Sequence, residues 1–149
     1  MSSKICSTTL SKINKHFFNN PANPYPQFIK NVKFQNLNQG HCKVTYEVTK
    51  LDTNAVNTLH GGFIATLLDN VTVFAAMTKL DDLNKNSVAT TNIHINYKTA
   101  GKVGQNVVVD AKVNKGGRRL MFTDCRIYEE GNEGKVLADG SQTFEIVDI

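Results

Sequence analysis

Between Phe63 and Met77 the chain has no polar side. Phe63, Ile64, Leu67, Leu68, Val71, Val73, Phe74, Ala75, Ala76 and Met77 cover every face of a 3.6-residue turn rather than one stripe, which predicts a helix enclosed by a core. Asp69, Asn70 and several threonines interrupt the run, and strand-like segments follow it, so it does not read as a membrane span. The fold must therefore supply a shell around this helix. Asp69 is the exception inside it. An ionised carboxylate in such surroundings costs several kcal/mol unless it is paired, hydrogen-bonded or placed at an edge where it meets a partner. A structural aspartate bonded to backbone or hydroxyl groups is the plainer reading, and the flanking residues argue for more.

Thr58-Leu59-His60-Gly61-Gly62 stands immediately before the helix. The first helical amides have no intrahelical acceptor, the positive end of the helix dipole lies behind them, and glycine lets a ligand approach closely. A glycine pair at a helix start by itself is weak evidence. With Asp69 it supplies two parts that acyl-transfer hydrolysis needs, an oxyanion donor and a carboxylate base. At ~1.5 Å per residue, Gly61 and Asp69 lie about 12 Å apart along one helix. If they share a carbonyl, one must come from another subunit, and two such helices would run antiparallel across a two-fold axis.

A chain of 149 residues suits one domain with a real core, so we read residues 1–149 as a single domain, with 1–27 leading in. Cys6, Cys42 and Cys125 are odd in number and lack a C-x-x-C pair, as in the reduced thiols of an intracellular protein. Of the histidines only His60 falls in a candidate site, and no pair has metal-ligand spacing. No metal and no cofactor are expected. Net charge is +4, and no acidic residue precedes Glu47. That bias would suit an anionic ligand, a nucleic acid or a mitochondrial targeting segment. Met1 to Phe18 contains Lys4, Lys12 and Lys15 but no arginine, whereas Leu10, Ile13, Phe17 and Phe18 have helical spacing. A packed amphipathic helix in a cytoplasmic protein is the expectation, with mitochondrial location the alternative.

Asn19 to Pro26 holds all three prolines and reads as a loop. Strands are expected over 28–34 and 41–49, then the long helix, then a meander of about four strands with turns at Gly116-Gly117 and Gly131-Asn132. The order argues for an α+β fold with an antiparallel sheet wrapped around the helix.

TNAVNTLHGGFIATLLDN at 53–70, INYKTAGKVGQ at 95–105 and NKGGRRLMFT at 114–123 resemble the hotdog-fold acyl-coenzyme A thioesterases of the thioesterase superfamily member 2 type, related to bacterial phenylacetyl-CoA thioesterases. The resemblance covers the chain from about residue 28 onward. It implies that Asp69 activates water for attack on the thioester, with nucleophilic attack through an anhydride as the alternative, and that Gly61 with His60 forms the oxyanion hole. It implies further that Asn54 positions water or thioester, and that Thr90 stands where relatives carry a serine. Substrate and coenzyme A contacts would come from Asn92, Tyr97, Lys98 and Lys102. Others would come from the turn Lys115, Gly116, Gly117, Arg118 and Arg119 with Leu120 behind it. Solvated surface charge is the plainer reading of each basic residue.

The expected function is hydrolysis of medium-to-long fatty acyl-CoA by a homodimer, assembled as a homotetramer, with no nucleic-acid partner. Aryl-CoA hydrolysis and a non-catalytic acyl-CoA-binding hotdog protein are the alternatives. Nucleic-acid binding ranks below them because the basic segments lack interleaved aromatic platforms. A dehydratase of the same fold would use a His/Asp or His/Glu pair, which the HGG-plus-Asp69 pattern fits less well.

Overall fold

The computed structural model describes residues 5–19 and 31–149. A short helix, α1 (Ser7–Ile13), runs into a wider π-helical turn over Asn14–Phe18. Ile13 is fully buried, with Leu10 and Phe18 packed against the same core, as their spacing predicts. The proline-rich loop beyond Asn19 and the first residues of the strand expected over 28–34 lie outside the described residues. Within them the strand begins later than expected: β1 is Lys33–Asn38, and it pairs with β2, His41–Glu47. The turn between them is Gln39-Gly40, with φ of 51° and 80°. Two consecutive left-handed residues are what a two-residue type I′ hairpin demands, and the glycine meets half of that demand without strain.

After a 3-10 turn at Lys50–Asp52 comes α2, Gly61–Met77, the helix the apolar run predicts. Four strands follow: β3 (Asn86–Tyr97), β4 (Asn106–Gly116), β5 (Leu120–Glu129) and β6 (Asn132–Asp148). All six strands form one antiparallel sheet in the order β1-β2-β4-β5-β6-β3. The sheet curves around α2, whose Leu67, Leu68, Val71 and Phe74 are fully buried with Val44, Val109, Ile127 and Ala138. Each of the leucine, valine, isoleucine and phenylalanine side chains contributes about 1.5–3 kcal/mol on leaving water. Close packing depends on Gly140 of β6. A Cβ there would fall 2.2 Å from the His94 carbonyl oxygen and 2.9 Å from Leu68 Cδ1. This is the hotdog arrangement that the resemblance implies.

Two features depart from the sequence reading. In the single chain α2 is not enclosed on every side. Gly62 is exposed and Thr66, Asp69 and Val73 are only half-buried, and their spacing of four, three and four residues makes one open stripe along the helix. The second departure is a bulge in β3. Thr90 pairs with Phe144 but Asn92 pairs with Thr143, so Thr91 is an extra residue. Before it Val88 and Thr90 face α2, and after it Ile93, Ile95 and Tyr97 do, opposite the inward positions Gln142, Gly140 and Ala138. Without the bulge, period-two alternation would turn either Thr90 or the three later residues outward.

Candidate active site

The start of α2 is held from three directions. His60 is the N-cap, and its Nδ1 accepts the Gly62 amide at 2.8 Å. That bond assigns the ring hydrogen to Nε2. The amides of Phe63 and Ile64 donate to the His60 carbonyl at 2.9 and 3.0 Å. Among the described residues the Gly61 amide has no acceptor, so it is the donor left for a ligand oxygen. Tyr97 covers the same turn: its hydroxyl donates to the Gly61 carbonyl at 3.1 Å. A Cβ at Gly61 would lie 3.3 Å from the Tyr97 ring.

The loop leading in is anchored by a residue the sequence reading passed over. Asp52 is buried and accepts the Tyr46 hydroxyl at 2.8 Å, the Thr49 amide at 2.7 Å and the Thr49 hydroxyl at 2.8 Å. Burial, together with the bond to Asp52, pushes the Tyr46 hydroxyl pKa well up. Thr49-x-x-Asp52 is a capping box, a pattern visible in the sequence. The Asp52 carbonyl in turn accepts the His60 amide at 2.8 Å. Asn54 acts within the same loop. Its Oδ1 accepts the amides of Val56 and Thr58, and its Nδ2 donates to Thr58 Oγ1 at 2.8 Å. An amide nitrogen carries two hydrogens, so one remains for a ligand.

Asp69 stands at the middle of α2, half-buried on the open stripe. Its Oδ1 accepts Gln142 Nε2 at 2.5 Å and faces Thr90 Oγ1 at 3.4 Å, a long contact. Gln142 Nε2 also donates to Thr90 Oγ1 at 2.8 Å. Among the described residues nothing bonds to Asp69 Oδ2. Gln142 has no counterpart in the sequence reading, although a glutamine alternating with Ala138, Gly140 and Phe144 on a strand is a polar group on an apolar face, and such a group is informative.

Asp69 also forms part of the wall of a cleft of about 330 Å³, whose apolar part is Val73, Met77, Leu80, Leu83, Val88 and Ile149 and whose polar part includes Asn70, Asn86 and Ser87. Lys12 of α1 lies at its edge, its Nζ bonded to Asn84 Oδ1 at 2.5 Å. A second cleft of about 380 Å³ shares Leu80 and Asn86 with the first and is lined by Lys79, Gly116, Gly117 and Arg118. Lys79 is a second cation there that the sequence reading did not single out.

The remaining site residues are not gathered in one chain. Gly61 and Asp69 occupy the same helix about 12 Å apart along its axis. The turn carrying Lys115, Arg118 and Arg119 lies at the Asn86 end of the sheet, where Ile146 donates to the Arg119 carbonyl at 2.7 Å. Lys98 and Lys102 follow Tyr97 at the other end of β3, a strand of 12 residues. At ~3.3 Å per residue the clusters are roughly 36 Å apart. The resemblance assigns both clusters to substrate and coenzyme A, and within one chain they stand at opposite ends of β3. Lys98 is already paired with Asp139, and its hydrogen bond, helped by one from Asn96, holds the Asp139 carboxyl below its usual pKa. Arg119 pairs with Glu145 at 3.3 Å, whereas Lys102, Lys115 and Arg118 make no ion pair among the described residues. Asn92 and Leu120 lie on the outer face of the sheet, away from Asp69, beside strand positions Thr143 and Glu145.

Residues 56–135 match the sequence model of the thioesterase superfamily. The chain is 35% identical over 97 residues to human acyl-coenzyme A thioesterase 13, a match spanning 65% of this chain and 66% of that protein's length. Zebra fish thioesterase superfamily member 2 superposes with a TM-score of 0.82 at 25% identity, covering 95% of this chain and 99% of that one. A Streptococcus mutans protein solved with acetyl CoA bound superposes with a TM-score of 0.71 at 24% identity, covering 80% and 90%.

Proposed function

The chain belongs to the thioesterase superfamily, and on that premise we propose that it hydrolyses acyl-coenzyme A thioesters to the free acid and coenzyme A, with Asp69 as general base. The observation that carries this reading is the state of the carboxylate. Asp69 has one oxygen engaged by Gln142 and the other without a protein donor among the described residues, beside a cleft with an apolar part. Oδ2 takes a proton from water as the water oxygen bonds to the thioester carbonyl carbon. The carbonyl oxygen becomes an oxyanion that a Gly61 amide stabilises. Collapse of the tetrahedral centre breaks the carbon–sulfur bond, and the proton on Asp69 passes to the departing sulfur.

A dimer supplies the missing proximity. The open stripe on α2, the unpaired outer side of β3 with residues 89–94 exposed, and two basic clusters at opposite ends of that strand all favour the same assembly. An unpaired edge strand is a template for another strand. Antiparallel association about β3 would bring Gly61 of one protomer toward Asp69 of its partner, and Lys98 and Lys102 of one toward Arg118 of the other. The homotetramer implied by the resemblance would build on this dimer.

The apolar lining beside Asp69 favours a medium-to-long fatty acyl chain as the group in the cleft, with coenzyme A phosphates meeting the cations of the Gly116-Gly117 turn. The test is thiol release from acyl-CoAs of four to eighteen carbons and from phenylacetyl-CoA. Wild type should favour the medium and long fatty chains, and Asp69→Asn should lose at least ~100-fold in turnover, the low end for general base catalysis, while still folding. Near wild-type turnover in Asp69→Asn would refute the mechanism.

A further inference from the structure

We infer that Gln142 is a positioning residue for Asp69, selecting which carboxylate oxygen reacts, and that Thr72 fixes the direction of the Gln142 amide. This inference rests on the general-base reading of Asp69. Gln142 occupies an inward position on β6, 1% exposed, among fully buried Phe144 and Ala138. A primary amide at a core position is tolerated only when its polar atoms are bonded, and here they are. Nε2 meets Asp69 Oδ1 and Thr90 Oγ1, and Oε1 faces Thr72 Oγ1 at 2.5 Å.

The direction of the amide follows from the donor count. An ionised carboxylate only accepts, so the nitrogen must face Asp69 and the oxygen must face Thr72. Thr72 has one hydroxyl hydrogen and three oxygens in reach: the Leu68 and Asp69 carbonyls, each at 2.9 Å, and Gln142 Oε1. Each of the two carbonyls already accepts a helix amide, whereas the buried Oε1 has no other donor among the described residues, so the hydrogen is assigned to Gln142. Both Nε2 hydrogens are then used, one on Asp69 and one on Thr90. Because Thr90 Oγ1 accepts from Gln142, its own hydrogen points elsewhere, toward Asp69 Oδ1 or a water. Oδ1 is thereby tethered and Oδ2 is left to take the proton. The chain of bonds runs from α2 through β6 back to α2 and β3, so the carboxylate is tied from its place on α2 to both strands beside it.

The test compares Gln142→Leu, Thr72→Val and the double variant with wild type and Asp69→Asn on one long-chain acyl-CoA. Gln142→Leu should lower kcat by about 10–100-fold, the range for residues that orient a reacting group, with KM within about three-fold of wild type. Thr72→Val should lower kcat by less, and the double variant should match Gln142→Leu alone, because both act through one chain of bonds. If Gln142→Leu does not fold, Thr72→Val decides: a wild-type kcat would overturn the inference. A folded Gln142→Leu with wild-type kcat, beside an inactive Asp69→Asn, would overturn the positioning role and leave the function standing. Losses that add in the double variant, or that fall on KM instead of kcat, would also overturn it. A wild-type protein that releases no thiol from any acyl-CoA would overturn both.

Discussion

Asp52 and Asp69 show at the scale of the residue how one side chain serves two ends. Three donors converge on Asp52 in a buried pocket, and it staples the loop before α2. Asp69 is tethered by one oxygen and is half-buried beside a cleft, so it keeps both its shape and its access. The three cysteines differ in the same physical way. Cys42 and Cys125 are buried, and desolvation pushes both thiols well up. Cys6 is less buried, and the hydroxyl of Thr9, 3.3 Å from its sulfur, lowers its pKa. The thiolate is the reactive form. Native protein treated with iodoacetamide at neutral pH should therefore take one adduct, on Cys6, and two more only after unfolding. Mass spectrometry that finds Cys125 labelled as fast as Cys6 in the native state would contradict this order.

At the scale of the element, α2 carries three jobs on one rod: its start presents an amide, its middle a carboxylate, and its later turns part of the apolar wall of a cleft. The bulge at Thr91 lets β3 serve the first two, since it keeps Thr90 on the Asp69 side while Tyr97 stays turned inward over the Gly61 carbonyl. Val73 is one turn beyond Asp69 and lines the cleft, so Val73→Phe should fill the space nearest the carboxylate. Turnover of palmitoyl-CoA should fall by ~10-fold or more, the scale of discrimination by volume in an apolar pocket, while butyryl-CoA is spared. Equal losses at every chain length would mean that the cleft holds a part common to all the substrates rather than the acyl chain.

At the scale of the whole molecule, the proposed site needs two copies of the chain, because no bending of a helix brings Gly61 to Asp69. Asp69→Asn chains mixed with Gly61→Pro chains test this directly. Proline is accepted at the first position of a helix and removes the amide in question, although Tyr97 must shift slightly, since a Cβ at Gly61 lies 3.3 Å from its ring. Each variant alone should be inactive. After co-expression or refolding, random pairing yields about half mixed dimers with one working site of two, so activity should recover to about one quarter of wild type. Mixed dimers that form yet remain inactive would place both groups in the site of one chain or remove one of them from catalysis.

The long helix, its glycine start with a free first amide and the α+β order were legible in the sequence because each rests on local pattern: apolar coverage of a helical turn, an amide without an acceptor, alternation along strands. The separation of Gly61 from Asp69 also follows from the chain itself, since helix rise is invariant. What the tertiary structure decided is everything that depends on register between distant segments. Gln142 lies 73 residues from the carboxylate it bonds, and only the pairing of β6 with β3 and β5 sets it on the inner face. The bulge at Thr91 is a slip of one residue against β6; the apolar residues of β3 change parity between Val88 and Ile93, but only the pairing with β6 places the slip at Thr91. The distance between the two basic clusters and the open stripe on α2 likewise emerge only when the sheet closes over one helix and leaves one flank of it uncovered.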